Sequence, residues 1–225
     1  MQSIYFVDSN FTYESSKKSI LSIRYATDGF SFCVHDETGK LVVFVHEPYA
    51  ADSREAAVAR LKNYVVNDAI LNLRFKKVYI MPCFKEKLLV PGAFFDKANI
   101  TTLYTVNQEV SPDDTILYHH IEGIEAYLVE TVISSFHDFV REHFPVFQIV
   151  NGAYPFILGA MGKALRDTEQ IFLDIQDNYF DLLFIRDSGI QLFNTFSYKA
   201  TTDIVYFLLN CIKECGINQE KAHLS

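Results

Sequence analysis

The sequence predicts a mixed α/β fold in which a unit of three antiparallel strands followed by a helix occurs twice. Segments with an alternating or continuous apolar pattern, which is typical of strands, occur in two groups of three. A segment with helical periodicity follows each group. The chain has 225 residues, of which 49% are hydrophobic and 21% are charged, and this composition indicates a globular protein with a sizeable core.

The first group of strands follows a polar lead-in. Residues 19–26 and 29–35 alternate between apolar and polar side chains, and residues 41–46 are continuously apolar. The links at residues 27–29 and 36–40 each contain a glycine, which can adopt a positive φ. These strands are therefore expected to form consecutive antiparallel hairpins.

A helix and a further strand complete the first unit. Asp52 or Ser53 is placed to cap a helix that runs to about Val66. Residues 77–81 form a short apolar strand, which Pro82 is expected to end.

The middle of the chain has a less regular pattern. The segment 90–92 (Val-Pro-Gly) indicates the start of a helix that continues through Phe94, Phe95 and Leu103, with Pro91 near its first turn. Residues 113–120 and 124–132 are expected to form a hairpin, and residues 133–144 form a strongly amphipathic helix. A buried strand is expected at residues 146–150.

The second group repeats the pattern of the first. Strands are expected at residues 170–176, 179–186 and 190–197. The links at residues 177–178 and 187–189 are rich in Asp, Asn, Ser and Gly, which favour turns.

A helix follows the second group, as it follows the first. Thr201 or Thr202 is placed to cap this helix, and Gly216 ends it after Cys215. Apolar residues of the two units match at one constant offset, which favours an internal duplication. The matching residues are Ile23, Phe30 and Phe32 in the first unit and Ile175, Leu182 and Phe184 in the second.

Three antiparallel strands, a helix and a strand that joins the sheet in parallel make up the ribonuclease H-like unit, and two such units in one chain resemble the actin-like ATPase superfamily. The stretch DNYFDLLFIRDSGIQLFNTFSYKATTDIVY at residues 177–206 is similar to an uncharacterised bacterial family with that fold. The resemblance implies a first half at residues 1–167, with an additional hairpin and helices, and a second half at residues 168–225. It brings no established activity with it.

The resemblance also implies that the second half is incomplete. In the superfamily, the second unit continues after its helix into a fourth strand and further helices. Here the chain stops at residues 222–225, where that strand would begin. An incomplete sheet exposes an edge and apolar surface, so we expect a protein partner or self-association.

Actin-like ATPases hold a nucleotide between their halves, and the candidate phosphate-binding positions here are Asp28, Gly29, Asp174 and Asn178. Backbone N–H groups must approach the phosphates without a Cβ in the way, while a carboxylate organises magnesium. In the first unit no Asp lies on the strand, and Asp28-Gly29 also fits an ordinary hairpin turn. In the second unit Asp174 lies on the strand, but the following turn has no glycine. No cofactor is therefore expected, and Mg-ATP is the cofactor if these positions do bind nucleotide.

A ribonuclease H-like nuclease is a further enzymatic hypothesis, because Asp174 and Asp181 could contribute to a two-metal site. Asp181, opposite in parity to Leu182, is expected to face solvent. The formal net charge of −8 disfavours a nucleic-acid partner. The basic cluster at residues 74–77 is expected to be a solvated strand edge.

No metal site is expected. His119 and His120 point to opposite faces of a strand, and His137 and His143 lie on different faces of a helix. Residues 151–152 (Asn-Gly) form a turn before a helix, whose N-terminus could attract an anion, although a simple helix-starting turn is favoured. The sequence has neither the pattern of a signal peptide nor a run of about 18 apolar residues, so a cytoplasmic location without a membrane span is expected.

The sequence thus favours a cytoplasmic, non-catalytic scaffold or adaptor that makes protein contacts. The actin-like modules of pilus-assembly and type II secretion machinery are the nearest analogies of fold. The alternative is an ATP-binding protein, a kinase or a slow ATPase, with diverged phosphate loops.

Overall fold

The structure is a computed structural model that describes residues 2–218, 220 and 222–225. The strands are β1 (Ile4–Val7), β2 (Ile20–Ala26), β3 (Gly29–His35), β4 (Leu41–Pro48), β5 (Lys77–Pro82), β6 (Lys87–Pro91), β7 (Asp114–His120), β8 (Ala126–Ile133), β9 (Phe147–Ile149), β10 (Glu169–Ile175), β11 (Tyr179–Arg186), β12 (Gly189–Ser197) and β13 (His223–Leu224). The α-helices are α1 (Tyr13–Ser16), α2 (Arg54–Asn67), α3 (Ile100–Thr105), α4 (Ser134–His143), α5 (Ala153–Lys163) and α6 (Thr201–Glu214).

The predicted start of a helix at residues 90–92 is wrong, and an α-helix, α3 (Ile100–Thr105), covers only the end of the predicted segment. Pro91 has extended backbone angles and ends β6, and only a short 3-10 helix, Gly92–Phe94, follows. The N–H of Gly92 donates to the carbonyl oxygen of Glu125 at 2.7 Å. This bond holds the segment beside another strand, so it cannot begin an α-helix here.

The N-terminal cap of α2 agrees with the sequence prediction, whereas that of α6 differs from it. Ser53 caps α2, and its hydroxyl accepts the N–H of Ala56 at 3.2 Å. The prediction that Thr201 or Thr202 caps α6 is wrong, because this helix begins at Thr201. The carboxylate of Asp203 accepts hydrogen bonds from the N–H groups of Lys199 and Ala200, the two residues that precede the helix, at 2.9 and 3.0 Å.

The chain divides into two compact units. Unit 1 comprises residues 2–84, 109–117 and 130–152, and unit 2 comprises residues 85–108, 118–129 and the described part of 153–225. These units do not coincide with the expected halves, because segments from the middle of the chain group with the C-terminal strands. The division of the sequence into repeats at residue 167 stays a prediction.

Unit 1 is built on a six-stranded sheet with the order β1-β4-β3-β2-β5-β9. The first four strands in this order pair antiparallel, and β5 and β9 join in parallel. Leu21, Ile23 and Tyr25 alternate along β2 and are at most 1% exposed. They pack in one core with the apolar faces of α2 and α4, which include Leu61 and Phe136.

Unit 2 is built on a four-stranded sheet with the order β12-β11-β10-β13. Strands β10, β11 and β12 pair antiparallel, and β13 pairs in parallel with β10 at the place where the sequence predicts the start of a fourth strand. Phe180 and Phe184 of β11 lie in a core with α6, whereas Leu183 and Ile185 lie in a second core with α5. Because β11 is buried on both faces, its sequence is almost continuously apolar.

A third, three-stranded sheet has the order β6-β8-β7. Within the described residues, no helix is both long enough and apolar enough to cross a lipid bilayer.

The turn after β9 depends on a glycine. A Cβ at Gly152 would overlap the sulfur of Cys83, and the N–H of Gly152 donates to the carbonyl oxygen of Pro82 at 3.0 Å. The glycine therefore leaves the space that the sulfur of Cys83 occupies beside the end of β5.

We expect Gly152→Ala to lower the free energy of unfolding by about 1–3 kcal/mol, because the added methyl group must displace a buried sulfur. Urea denaturation measures this loss. In Gly152→Ala/Cys83→Ala the loss should be smaller than the sum of the two single losses, because the sulfur is gone. Gly159→Ala is the control, since a Cβ there meets open space in α5 and should not destabilise the helix. Equal losses at positions 152 and 159 would contradict the prediction.

Candidate functional site

The β2–β3 turn contains the first two candidate residues, Asp28 and Gly29. Ala26 pairs with Gly29 across the hairpin, so the turn has only two central residues, Thr27 and Asp28. Their carbonyl oxygens accept the N–H groups of Ala51 and Tyr49 at 2.8 and 3.1 Å, respectively. A turn this short lacks the run of open N–H groups that a phosphate cradle needs.

Gly29 is required by its contact with the neighbouring strand. Its φ is +151°, and a Cβ there would lie 2.7 Å from the carbonyl oxygen of Glu47. The glycine therefore allows β3 to approach β4 at Pro48, which explains its presence without any ligand.

The side chain of Asp28 forms an ion pair within unit 1. Its Oδ1 lies 3.6 Å from Nη1 of Arg24, and both side chains are about 30% exposed. The nearby Tyr49 hydroxyl is buried, and burial, followed by the charge of Asp28, raises the pKa of Tyr49 to about 12. The guanidinium of Arg60 lies over the Tyr49 ring at 5.2 Å. The carboxylate that a magnesium site would need thus already faces a guanidinium, although its Oδ1 accepts no hydrogen bond from the described residues.

In unit 2, a row of polar side chains crosses three strands. Asp174 of β10 lies directly opposite Asp181 of β11, which lies directly opposite Thr195 of β12. Residues paired in this way point to the same face of a sheet. The Oδ2 atom of Asp174 also accepts a hydrogen bond from Nε2 of Gln176 at 2.9 Å.

A buried lysine neutralises the centre of this row. Nζ of Lys87 lies 2.8 Å from Oδ1 of Asp181, and the two side chains are 1% and 2% exposed. Oγ1 of Thr195 donates to the same oxygen at 2.6 Å, and the ammonium group lies 4.6 Å from the centre of the Tyr179 ring. Burial raises the pKa of Asp181, while the charge of Lys87 and the two hydrogen bonds oppose that shift.

The expectation that Asp181 faces solvent is therefore wrong. Its parity does place it on the face opposite Leu182, but that face is a second core that also contains Leu183. The carboxylate is covered because β6 supplies Lys87. No sequence signal indicates this partner, because Lys87 belongs to an unremarkable polar run before an apolar segment.

This row does not provide a two-metal site. Two-metal chemistry needs several carboxylates that converge on ions, and here the central carboxylate is held by an ammonium and a hydroxyl group. Among the described residues, no group of three or more His, Cys, Asp or Glu side chains could hold a metal ion.

The fourth candidate, Asn178, lies in the β10–β11 turn beside a cavity of about 610 Å³ within unit 2. Two lysines, Lys85 and Lys199, and the carboxylate of Asp203 also line this cavity. The carbonyl oxygen of Asn178 accepts the N–H of Tyr198 at 3.1 Å. The structure thus places Asp28 and Gly29 together in unit 1, and Asp174 and Asn178 on one hairpin of unit 2.

The remaining polar candidates have structural contacts. Asn151 is buried, and its Nδ2 donates to Oε2 of Glu130 at 3.0 Å, so the turn at residues 151–152 is part of the core. Lys77 donates to Gln148 at 3.1 Å and lies over the Tyr79 ring. Sequence reasoning also missed the ion pair between Arg54 and Asp114, because its members are far apart in the chain.

The combination of mixed sheets and βββα units defines a protein of actin-like ATPase fold, as the sequence predicts. The chain belongs to the family DUF3822, a protein of unknown function, whose model matches residues 8–225. The expected resemblance to a family of this fold without an established activity is confirmed. The comparison with curated proteins found no match.

Three solved structures illustrate the likeness. A protein of unknown function with an actin-like ATPase fold from Bacteroides thetaiotaomicron VPI-5482 is 24% identical, with a TM-score of 0.88, over 95% of this chain and 83% of that one. A chain of the PilM–PilN type IV pilus biogenesis complex is 12% identical, with a TM-score of 0.50, over 88% of this chain and 66% of that one. An exopolyphosphatase from Cytophaga hutchinsonii ATCC 33406 is 12% identical, with a TM-score of 0.42, over 88% of this chain and 61% of that one. The first two likenesses establish the fold.

We expect Lys87→Met to lower the free energy of unfolding by about 3–5 kcal/mol, because it leaves the carboxylate of Asp181 buried without its counter-ion. Lys87→Met/Asp181→Asn should recover at least half of this loss, and urea denaturation measures both variants. The control is Arg141→Met, which breaks an exposed ion pair with Asp138 and should cost less than about 1 kcal/mol. A Lys87→Met loss no larger than that of the control would show that the pair is unimportant.

Proposed function

We propose that this protein is a non-catalytic protein-contact module of actin-like ATPase fold, which associates with a second copy of itself through β1. The observation that carries the proposal is the exposure of this strand. Ile4, Tyr5, Phe6 and Val7 are 50%, 65%, 45% and 36% exposed, respectively, and β1 forms an edge of the six-stranded sheet. Four consecutive exposed apolar side chains on a free edge favour the addition of another strand.

The backbone of β1 has groups available for such a strand. The N–H of Asp8 donates to the carbonyl oxygen of Val42 on β4 at 2.8 Å. In an antiparallel pair the direction of these groups alternates, so the groups of Phe6 also face β4 and those of Tyr5 and Val7 face outward. A strand added at this edge would bond to the outward groups.

Symmetry fixes how two copies of β1 can pair. Identical edge strands that pair antiparallel are related by a two-fold axis perpendicular to the sheet, which places one residue opposite itself. Of the two outward-facing residues of the strand, Tyr5 is the more exposed and is suited to that position. Ile4 then lies opposite Phe6 of the second copy on one face, and the two Tyr5 side chains meet on the other. Such an interface is small, so the dimer is weak and depends on concentration.

The altered phosphate-binding positions support a role without catalysis. The two-residue turn at Asp28 offers no cradle, and the row that contains Asp181 is neutralised by Lys87. Phosphoryl transfer depends on positioning and charge neutralisation by metal ions, for which neither place is arranged. The likeness to a chain of a pilus biogenesis complex is an analogy of fold that also supports a protein-contact role.

Self-association through β1 is tested by Tyr5→Lys. We expect the unchanged protein to form dimers as its concentration rises towards about 1 mM, and the variant to remain monomeric, because two like charges would meet at the two-fold axis. Sedimentation velocity measures both. Val146→Lys is the matched control, because Val146 is also about half exposed, at 53%, and lies next to β9 at the opposite edge of the sheet. A protein that stays monomeric throughout, or a control as disruptive as Tyr5→Lys, would refute the proposal.

ATP binding with diverged phosphate loops is the second candidate function. The observation that favours it is the cavity beside Asn178, where Lys85 and Lys199 supply positive charge. Mg-ATP would be the cofactor, and Asp174 the nearest carboxylate on the preceding strand.

Thermal unfolding with millimolar Mg-ATP separates the two candidates. A ligand present at 100 times its dissociation constant stabilises the folded state by about 2.7 kcal/mol, which shifts the unfolding temperature by several degrees. We expect no shift, because the two-residue turn at Asp28 offers no phosphate cradle and the turn after Asp174 has no glycine. A shift that Lys199→Ala or Asp174→Ala abolishes would instead establish nucleotide binding in unit 2.

A further inference from the structure

Unit 2 contains an apolar cleft of about 510 Å³ that none of the candidate residues lines. The cleft lies among β6, the start of β8, the end of α5 and the first half of β12. Its apolar walls include Leu89, Ile124, Met161, Ile190 and Phe193, each of which is partly buried against the core under α5. Because that core is already filled, the remaining surface of these side chains faces the cleft. A volume of this size is typical of a binding site.

Two strand edges line the cleft. Within the described part of the chain, β12 lies at the edge of its sheet and pairs with β11 alone, and β6 lies at the edge of its sheet and pairs with β8 alone. One edge of each strand therefore carries backbone groups without partners in a sheet. The residues of these edges that reach the cleft include Leu89 and Pro91 of β6 and residues 189–193 of β12.

The backbone at the start of β12 is unusual. Asp187 and Ser188 both have positive φ, at 53° and 64°, in the two-residue turn between Arg186 and Gly189. Turns of this type favour Asn or Asp at the first position and Gly at the second, so the conformation is unfavourable at Ser188. The pairing of β11 with β12 also shifts register between Phe184 and Ile185. Such features are concentrated at binding sites, and here they place Ser188 and Gly189 in the wall of the cleft.

The rim of the cleft is acidic. Glu125 is its charged lining residue, and the exposed Glu122 lies in the same β7–β8 turn. Asp187, also exposed, directly precedes the lining residue Ser188. All the lining residues belong to the described part of the chain, and none of them is Lys or Arg. Among the lining residues, the charge of Glu125 therefore favours a basic group at this place in the cleft.

We propose that this cleft binds an extended, apolar peptide segment of another protein, with a basic side chain placed against Glu125. The peptide adds as a strand to the edge of β12 or β6, where backbone hydrogen bonds supply affinity. Its alternate apolar side chains pack against Met161 and Ile190, and its Lys or Arg pairs with Glu125. This inference rests on the proposed protein-contact role, but not on β1, because no residue of β1 lines the cleft.

The test is a selection from a random peptide library of about 12 residues displayed on phage, with the purified protein immobilised. We expect the enriched sequences to alternate apolar residues and to contain Lys or Arg at one position. A fluorescein-labelled enriched peptide, and a copy with Glu in place of the basic residue, then give dissociation constants by fluorescence anisotropy. The copy should bind at least about tenfold more weakly, with the difference falling as salt is added.

Two substitutions locate the site. Glu125→Lys should weaken the basic peptide by about tenfold, because it reverses the charge of the rim. Met161→Trp should weaken it similarly, because the larger ring fills the cleft, and urea denaturation establishes whether this variant is folded. Glu214→Lys is the matched control, because Glu214 is an exposed residue of α6 in the same unit and does not line the cleft. If Met161→Trp does not fold, the comparison of the dissociation constants of Glu125→Lys and Glu214→Lys decides whether the peptide binds in the cleft.

Several results would overturn the inference. These are enrichment of acidic peptides, no enrichment above background, or peptides whose binding Glu125→Lys leaves unchanged. The Tyr5→Lys variant distinguishes this inference from the proposed self-association, because it should bind the peptide as well as the unchanged protein does. If the protein binds the peptide but never dimerises, the inference about the cleft stands and only the proposed role of β1 is refuted.

Discussion

The burial of β11 on both faces is the constraint on which unit 2 depends. Alternate side chains of one strand enter two separate cores, one with α5 and one with α6, so each helix must cover its own face. A polar side chain on such a strand has no solvent to reach and needs a partner within the protein. Asp181 meets this requirement through Lys87 and Thr195, and this polar contact therefore ties β6, β11 and β12 together. The position of β6, and with it one wall of the apolar cleft, follows from that requirement.

Local patterns in the sequence predict most of the strands and helices, because alternation and turn residues act over a few positions. They miss β1, in the polar lead-in, and β6, which ends where a helix start was predicted. The same patterns fail where contacts between segments far apart in the chain determine the local structure. Residues 90–92 have the composition of a helix start, but the carbonyl oxygen of Glu125 bonds the backbone of Gly92 and holds it beside β8. The parity of Asp181 was predicted correctly, whereas its burial was not, because Lys87 comes from a strand far away in the chain. The actin-like fold itself was predictable, since it rests on the order of the elements.

The candidate phosphate-binding positions show why a short motif cannot identify a site. An Asp-Gly pair suits both a phosphate loop and a hairpin, and only the neighbouring strand distinguishes them. At Gly29 the neighbour is the carbonyl oxygen of Glu47, so the glycine serves the packing of β3 on β4. At Asp28 the neighbour is Arg24, which pairs with the carboxylate. Both residues are thus accounted for by contacts within unit 1, although the sequence alone leaves either role open.

The edges of the sheets indicate where contacts with other proteins cost the least free energy. Proteins protect free edges with charged residues, prolines, bulges or very short strands. Strand β9, at one edge of the six-stranded sheet, has only three residues, whereas β1, at the other, has four apolar residues in unbroken register with β4. Strand β12 is nine residues long, and its free edge borders an apolar cleft. An unprotected edge exposes backbone groups that a partner strand can bond without desolvating any charge. Contacts at strand edges need only backbone geometry and apolar surface, so they do not depend on an open phosphate-binding loop.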